Sequence, residues 1–158
     1  MTEKQTLLEV REREFATTLK VLRAYPKNKE SFKPHERSRS AGELAFTLAS
    51  EEMINVQAAS GAVDFQKLSQ DMPKTMDGII SLLEKNHAEG TKAITATSEE
   101  DVNKILKFGK MDLRRIDVMW FMLFDTIHHR GQFSVYIRMA GGKVPSIYGP
   151  SADDPGDM

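Results

Sequence analysis

Between Glu3 and Ala24, Leu7, Val10, Phe15, Leu19 and Leu22 recur at three- to five-residue steps among charges, which predicts an amphipathic helix ended by Tyr25-Pro26. The stretch PKNKESFKPHERSRS has two prolines and no helical period, so it reads as a long connector with Phe32 as its apolar anchor. Ser40-Ala41-Gly42-Glu43 matches a capping box, in which serine and glutamate side chains each satisfy a backbone N–H, and opens a second helix to about Ala59. Its inward line is Leu44, Thr47, Leu48, Glu51, Ile54 and Ala58.

Gly61 to Met72 reads as a linker, and Pro73 as an early residue of a third helix. That helix has the seam Met76, Ile80, Leu83, His87, Gly90 and Ile94. SEEDVNKILKFGK predicts either one helical turn capped by Ser98 or a structured loop, with a break at Gly109. A fourth helix is expected from about Asp112, its cap, to Ala140, with Gly141-Gly142 as the stop and Ile116, Met119, Trp120, Leu123, Ile127, Val135 and Ile137 as its apolar surface. No clear strand and no internal repeat stand out. The pattern predicts an all-α, antiparallel four-helix bundle with a long first connector, one domain over residues 1–150, and an irregular, flexible C-terminal tail over 151–158.

A chain of 158 residues can bury a core without staples, and with no cysteine it has neither disulfides nor a thiolate metal site. Together with an N-terminus lacking an apolar signal core and apolar runs too short to span a bilayer, this gives the expectation of a cytoplasmic protein without membrane association. Lys and Arg number 22 against 23 Asp and Glu, so the net charge of -1 offers no field for a phosphate backbone, and nucleic acid is not an expected partner. The basic stretch Lys33 to Arg39 lacks interleaved aromatics and reads as a solvated loop.

Candidate chemistry concentrates in Asp125-Thr-Ile-His-His129-Arg-Gly-Gln132. Asp125, His129 and Gln132 share one helix face, and the spacing of the first two lets a carboxylate and an imidazole reach one cation. It equally fits a hydrogen-bonded pair on a wet face. His87, alone on an apolar seam, reads as a satisfied core residue, and Gly131 as a place where a neighbouring helix comes close. The methionines and Trp120 read as packing.

The string HHRGQFSVYIRMAGGKVPSIYG, with Glu43-Leu44 on a helix opened by Ser40 and a long final helix, resembles the DinB-like (YfiT-like) family, and the likeness extends to about Gly149. The resemblance implies a metal triad with one ligand from the second helix and two, four residues apart, from the fourth, at Thr47, Asp125 and His129. The family's usual ligands are histidines, and only His129 keeps that identity. A carboxylate and a hydroxyl in place of two imidazoles imply a harder, weaker site for a divalent ion such as Zn, Ni or Mn. Glu51, one turn beyond Thr47, is a candidate ligand or general base, or else an exposed or Arg130-paired residue. Arg130 is a candidate for holding an anionic substrate, or for pairing with a glutamate across the bundle. The resemblance implies a metal-dependent hydrolase or a thiol-dependent transferase; the alternative is a metal-free bundle that binds a small molecule or a protein partner. A homodimer is the expected assembly.

Overall fold

The computed structural model describes residues 1–68 and 70–156. Four helices carry the architecture: α1 (Glu3–Arg23), α2 (Ala41–Ser60), α3 (Met76–Ala96) and α4 (Arg115–Met139). Between α3 and α4 lies an antiparallel hairpin of β1 (Ile105–Phe108) and β2 (Met111–Arg114), and short 3₁₀ turns occupy Phe65–Leu68 and Asp101–Asn103.

The helix boundaries follow from local hydrogen bonding. Ser40 Oγ accepts from the Glu43 N–H and Glu43 Oε2 accepts from the Ser40 N–H, completing the predicted box. At the end of α4 the Gly142 N–H donates to the Ile137 carbonyl and the Gly141 N–H to the Arg138 carbonyl, with Gly141 at φ 84°, a Schellman stop.

Two expected starts move. Pro73 precedes α3, which is capped by Thr75 through the Gly78 N–H. Asp112 does not cap α4, because it lies in β2 opposite Lys107 and pairs with that lysine's ammonium. The start of α4 is fixed instead by Asp117, whose carboxylate accepts from the Arg114 N–H and guanidinium. The strands were unexpected because each is four residues long, too short to establish a period, although β1 alternates exposed and buried positions and Gly109 supplies the turn at φ 60°.

Each of α1 and α2 packs against α3 and α4, so α1 and α2 stand on opposite corners. Arg114 reaches Glu3 and Arg130 reaches Glu14, so α4 runs with α1; Asn86 reaches the Ala49 carbonyl and Thr97 that of Ala59, so α3 runs with α2. The bundle is thus two helices up and two down. Parallel neighbours need a return strand of chain, and residues 61–75 supply it with a reach of up to ~50 Å against a helix of ~30 Å. Gln70 ties this return to Asn86 at 2.9 Å. Phe32 packs on the core edge-on to Tyr136, as its anchor role requires.

The core falls into two apolar clusters, one around Leu22, Leu44, Leu83, Phe133 and Ile137, the other around Leu7, Ile54, Ile94, Met119 and Leu123. Between them lies a belt of buried polar side chains: Arg11, Glu14, Glu51, Glu52, Asn55, His87 and Arg130. The inward line of α1 is accordingly Leu7, Arg11, Glu14, Thr18 and Val21, rotated from the expected one, with Val10, Phe15 and Leu19 half-buried. Val135 is exposed, not core. Gly131 faces open space, and the close approach occurs at Gly90, where a Cβ would sit 3.2 Å from the Arg11 guanidinium.

Two parts of the belt are charge-matched. Arg11 Nη2 meets Glu52 Oε2 at 2.5 Å; His87 places Nδ1 and Nε2 at 3.0 Å from Glu52 and Glu12 carboxylates and stacks on Phe15. Burial, the largest single influence, pushes the Glu52 carboxyl up, but these partners together outweigh it and hold the carboxyl below its ordinary value. Arg130 donates to the carboxylate of Glu14 at 2.7 Å, to the Glu14 carbonyl, to Thr18 Oγ1 and to Tyr148 Oη. Residues 151–156, the first part of the tail expected to be flexible, form a turn where Asp153 and Asp154 accept from the Val144 and Ser146 N–H groups; the rest of that tail, 157–158, lies outside the described residues.

Removing one member of a buried pair leaves the other charge uncompensated. Arg130→Ala should lower the unfolding free energy by roughly 3–5 kcal/mol in urea denaturation, whereas Arg130→Met combined with Glu14→Met should cost clearly less than Arg130→Ala alone.

Candidate metal centre

Because α2 and α4 run antiparallel in contact, Glu51 meets the fourth-helix residues Asp125 and His129. One donor atom from each of the three lies within 4.8 Å of the others. His129 Nδ1 is 2.8 Å from Glu51 Oε1, with side chains 15% and 8% exposed. That approach lacks hydrogen-bond geometry, and Nδ1 is a buried nitrogen with no hydrogen-bond partner among the described residues. Glu51 Oε2 accepts a long bond, 3.4 Å, from Thr126 Oγ1.

Burial and then the negative charge of Asp125 push the Glu51 carboxyl up to about 9, so at neutral pH it holds its proton. Burial pushes the His129 imidazole below its ordinary value, against the pull of Asp125 and with the help of Arg39 and His128, which favours the neutral, ligating form. A divalent cation fits these residues: it would give the orphaned Nδ1 a partner and replace the Glu51 proton. Two carboxylates and one imidazole form a mixed oxygen and nitrogen set suited to Mn, Zn or Ni, harder than three imidazoles.

The other sequence candidates are placed as follows. Thr47 is half-buried one turn before Glu51, and its hydroxyl donates to the Glu43 carbonyl at 3.0 Å while accepting from Arg39 Nη1 at 2.9 Å. Arg130 is turned to α1 and bound to Glu14, not to Glu51, and at 1% exposure it offers no surface to a substrate. Gln132 bonds His128 at 2.7 Å. It also lines, with Ser38, Arg39, Leu44, His129, Val135 and Tyr136, an open cleft of about 530 Å³ that reaches the metal candidates at His129.

A family model, that of the DinB family, matches residues 1–156. The chain belongs to the DinB family. Among solved structures, a DinB-like protein from Bacillus cereus ATCC 10987 has a TM-score of 0.79 at 19% identity, covering 91% of this chain and 97% of that one. A DinB-like protein from Bacillus subtilis, YjoA, has a TM-score of 0.72 at 18% identity over 86% and 92%. At these identities the likeness concerns the fold. A curated relative, the uncharacterized protein YrdA of Bacillus subtilis strain 168, is 30% identical over 60 residues, 38% of this chain and about a third of its own length (36%). No helix of this DinB-family chain is long and apolar enough to cross a membrane among the described residues.

Sequence reasoning missed Arg39, which it left in a solvated loop, and the buried charges of α1. For α1 the signal was present, since Leu7, Arg11, Glu14, Thr18 and Val21 recur at steps of four and three. For Arg39 none was, because its place at the cleft depends on the course of the connector.

The raised Glu51 value has a consequence for stability. The metal-free folded protein holds a proton that the unfolded chain releases above about 4.5, so this contribution is complete below that pH and is lost progressively as pH rises to about 9. Thermal unfolding in chelator should therefore show wild-type Tm falling across that window relative to Glu51→Gln, and a bound divalent ion should reverse the trend, since it displaces the proton.

Proposed function

We propose that the chain is a metal-dependent enzyme for a small molecule, with Glu51, Asp125 and His129 holding a divalent ion beside the cleft. The observation that carries this reading is the buried His129 Nδ1, which has no hydrogen-bond partner among the described residues and lies 2.8 Å from the carboxyl of Glu51, pushed up to about 9 by burial and by Asp125. A bound ion would lower the pKa of a water or thiol, which suits hydrolysis or thiol-dependent transfer. Asp125, the more exposed carboxylate, would supply a second oxygen ligand. Glu51 would give up its proton on binding the ion and hold the ion as a carboxylate. Leu44 and Tyr136 exclude water from one wall of the cleft. The anion-holding role does not go to Arg130, which Glu14 occupies.

A second reading, a metal-free bundle that takes a small ligand, is favoured by the cleft itself, which needs no ion to exist. Exposed Phe121, Phe124, Val135 and Met139 on α4 support a homodimer, which light scattering would show as twice the mass of the 17.8 kDa chain. The absence of cysteine and a net charge of -1 accord with a cytoplasmic protein acting on small molecules and not on nucleic acid.

Isothermal titration of metal-stripped protein with Zn, Ni and Mn separates the two readings. One divalent ion should bind weakly, His129→Ala should abolish binding, and Thr47→His should raise Zn and Ni affinity by adding a nitrogen donor. Tight binding that survives His129→Ala would place the ion elsewhere, and no binding to wild type would leave the metal-free reading.

A further inference from the structure

Arg39 is held in place at the cleft. Its Nη1 donates to Thr47 Oγ1 at 2.9 Å, and Tyr136 Oη donates to its carbonyl oxygen at 3.0 Å, so both the side chain and the backbone are tied to the bundle. Among the described residues no carboxylate lies within ion-pair distance of it, in contrast to Arg11, Arg114, Arg130 and Arg138. Nε and Nη2 have no protein partner among the described residues, which leaves donors free for a planar anion.

The lining of the cleft divides by chemistry. Leu44, Val135 and Tyr136 give it an apolar wall, while Arg39, His129 and Gln132 give it a polar one. Charge then selects among anions. Arg39 brings one guanidinium charge with no ion-pair partner among the described residues, which matches a monoanion. A phosphate dianion would leave one negative charge unmatched by that guanidinium.

We propose that the cleft binds small amphipathic carboxylic acids, with the carboxylate on the Arg39 guanidinium and the apolar body against Leu44, Val135 and Tyr136. Thr47 is then a positioning residue, directing Arg39 with a hydroxyl one turn before Glu51. The inference rests on the metal reading for one point only, that the reacting end of the acid faces Glu51, Asp125 and His129.

The test is titration of 3-phenylpropionate, 3-phenylpropanamide and phenyl phosphate, followed by protein NMR, into wild type, Arg39→Gln, Arg39→Lys and Thr47→Val, each zinc-free and with zinc. Zinc occupancy is read in the same samples by competition with an indicator. Wild type should bind the acid about tenfold or more tightly than the amide, the usual effect of a charge-assisted hydrogen bond, and phenyl phosphate no better than the acid. Arg39→Gln should bring acid and amide within about twofold, Arg39→Lys should keep part of the preference, and Thr47→Val should reduce it. Arg39 is exposed, so folding is not at stake in its variants. Equal binding of acid and amide, a preference that survives Arg39→Gln, tighter binding of phenyl phosphate, or no binding of any probe would each overturn the inference. If zinc fails to bind while the Arg39-dependent preference persists, the metal reading alone falls; if zinc binds and the preference is missing, this inference alone falls.

Discussion

Charge buried at mid-height in a four-helix bundle constrains nearly everything else in this structure. An ionised side chain taken out of water is costly unless paired, and the interior offers few ways to pair it. Arg11 and Arg130 cross the bundle interior to neutralise Glu52 and Glu14. Their length and donor geometry fix which faces of α1, α2 and α4 turn inward, and why the apolar core is divided in two. Without these arginines the glutamates of the belt would have to leave it or take up protons.

The third set, Glu51 with Asp125 and His129, has no guanidinium. Burial pushes the Glu51 carboxyl up and the His129 imidazole down, so both favour their neutral forms, although Asp125 pulls the imidazole the other way. One bundle therefore contains two solutions to the same electrostatic problem. Permanent side-chain cations serve where the site is structural, and an exchangeable positive charge suits the place where a cleft admits solvent. The position of Arg39 on the cleft wall, not within the triad, keeps its charge available to a ligand.

Much of this was legible in the sequence, for identifiable reasons. The seam from Met76 to Ile94 was read correctly because every member is buried and the steps hold over five turns. The Ser40 box and the Gly141-Gly142 stop were legible because capping is local chemistry. Asp125, His129 and Glu51 could be named from helical spacing and family resemblance, but not the geometry that leaves Nδ1 unbonded. The hairpin was not legible because four residues do not make a period, and Asp112 was misplaced as a cap because its strand role depends on Lys107 across the turn. Arg11 and Glu14 were hidden by the rule that charges mark the wet face, a rule that fails where two buried charges satisfy each other.

The diagonal placement of α1 and α2 also bears on how the chain reaches this state. Successive helices in an up-down bundle form local hairpins that can assemble two at a time. Here α1 and α2 sit at opposite corners, and α2 and α3 are adjacent but parallel, so residues 61–75 must span the bundle before that pair can close. The pairing of α1 with α4 joins residues more than a hundred positions apart, as in Glu14 with Arg130. Contacts distant in sequence are therefore needed to close the bundle, which makes its folding slower than helix content alone would imply.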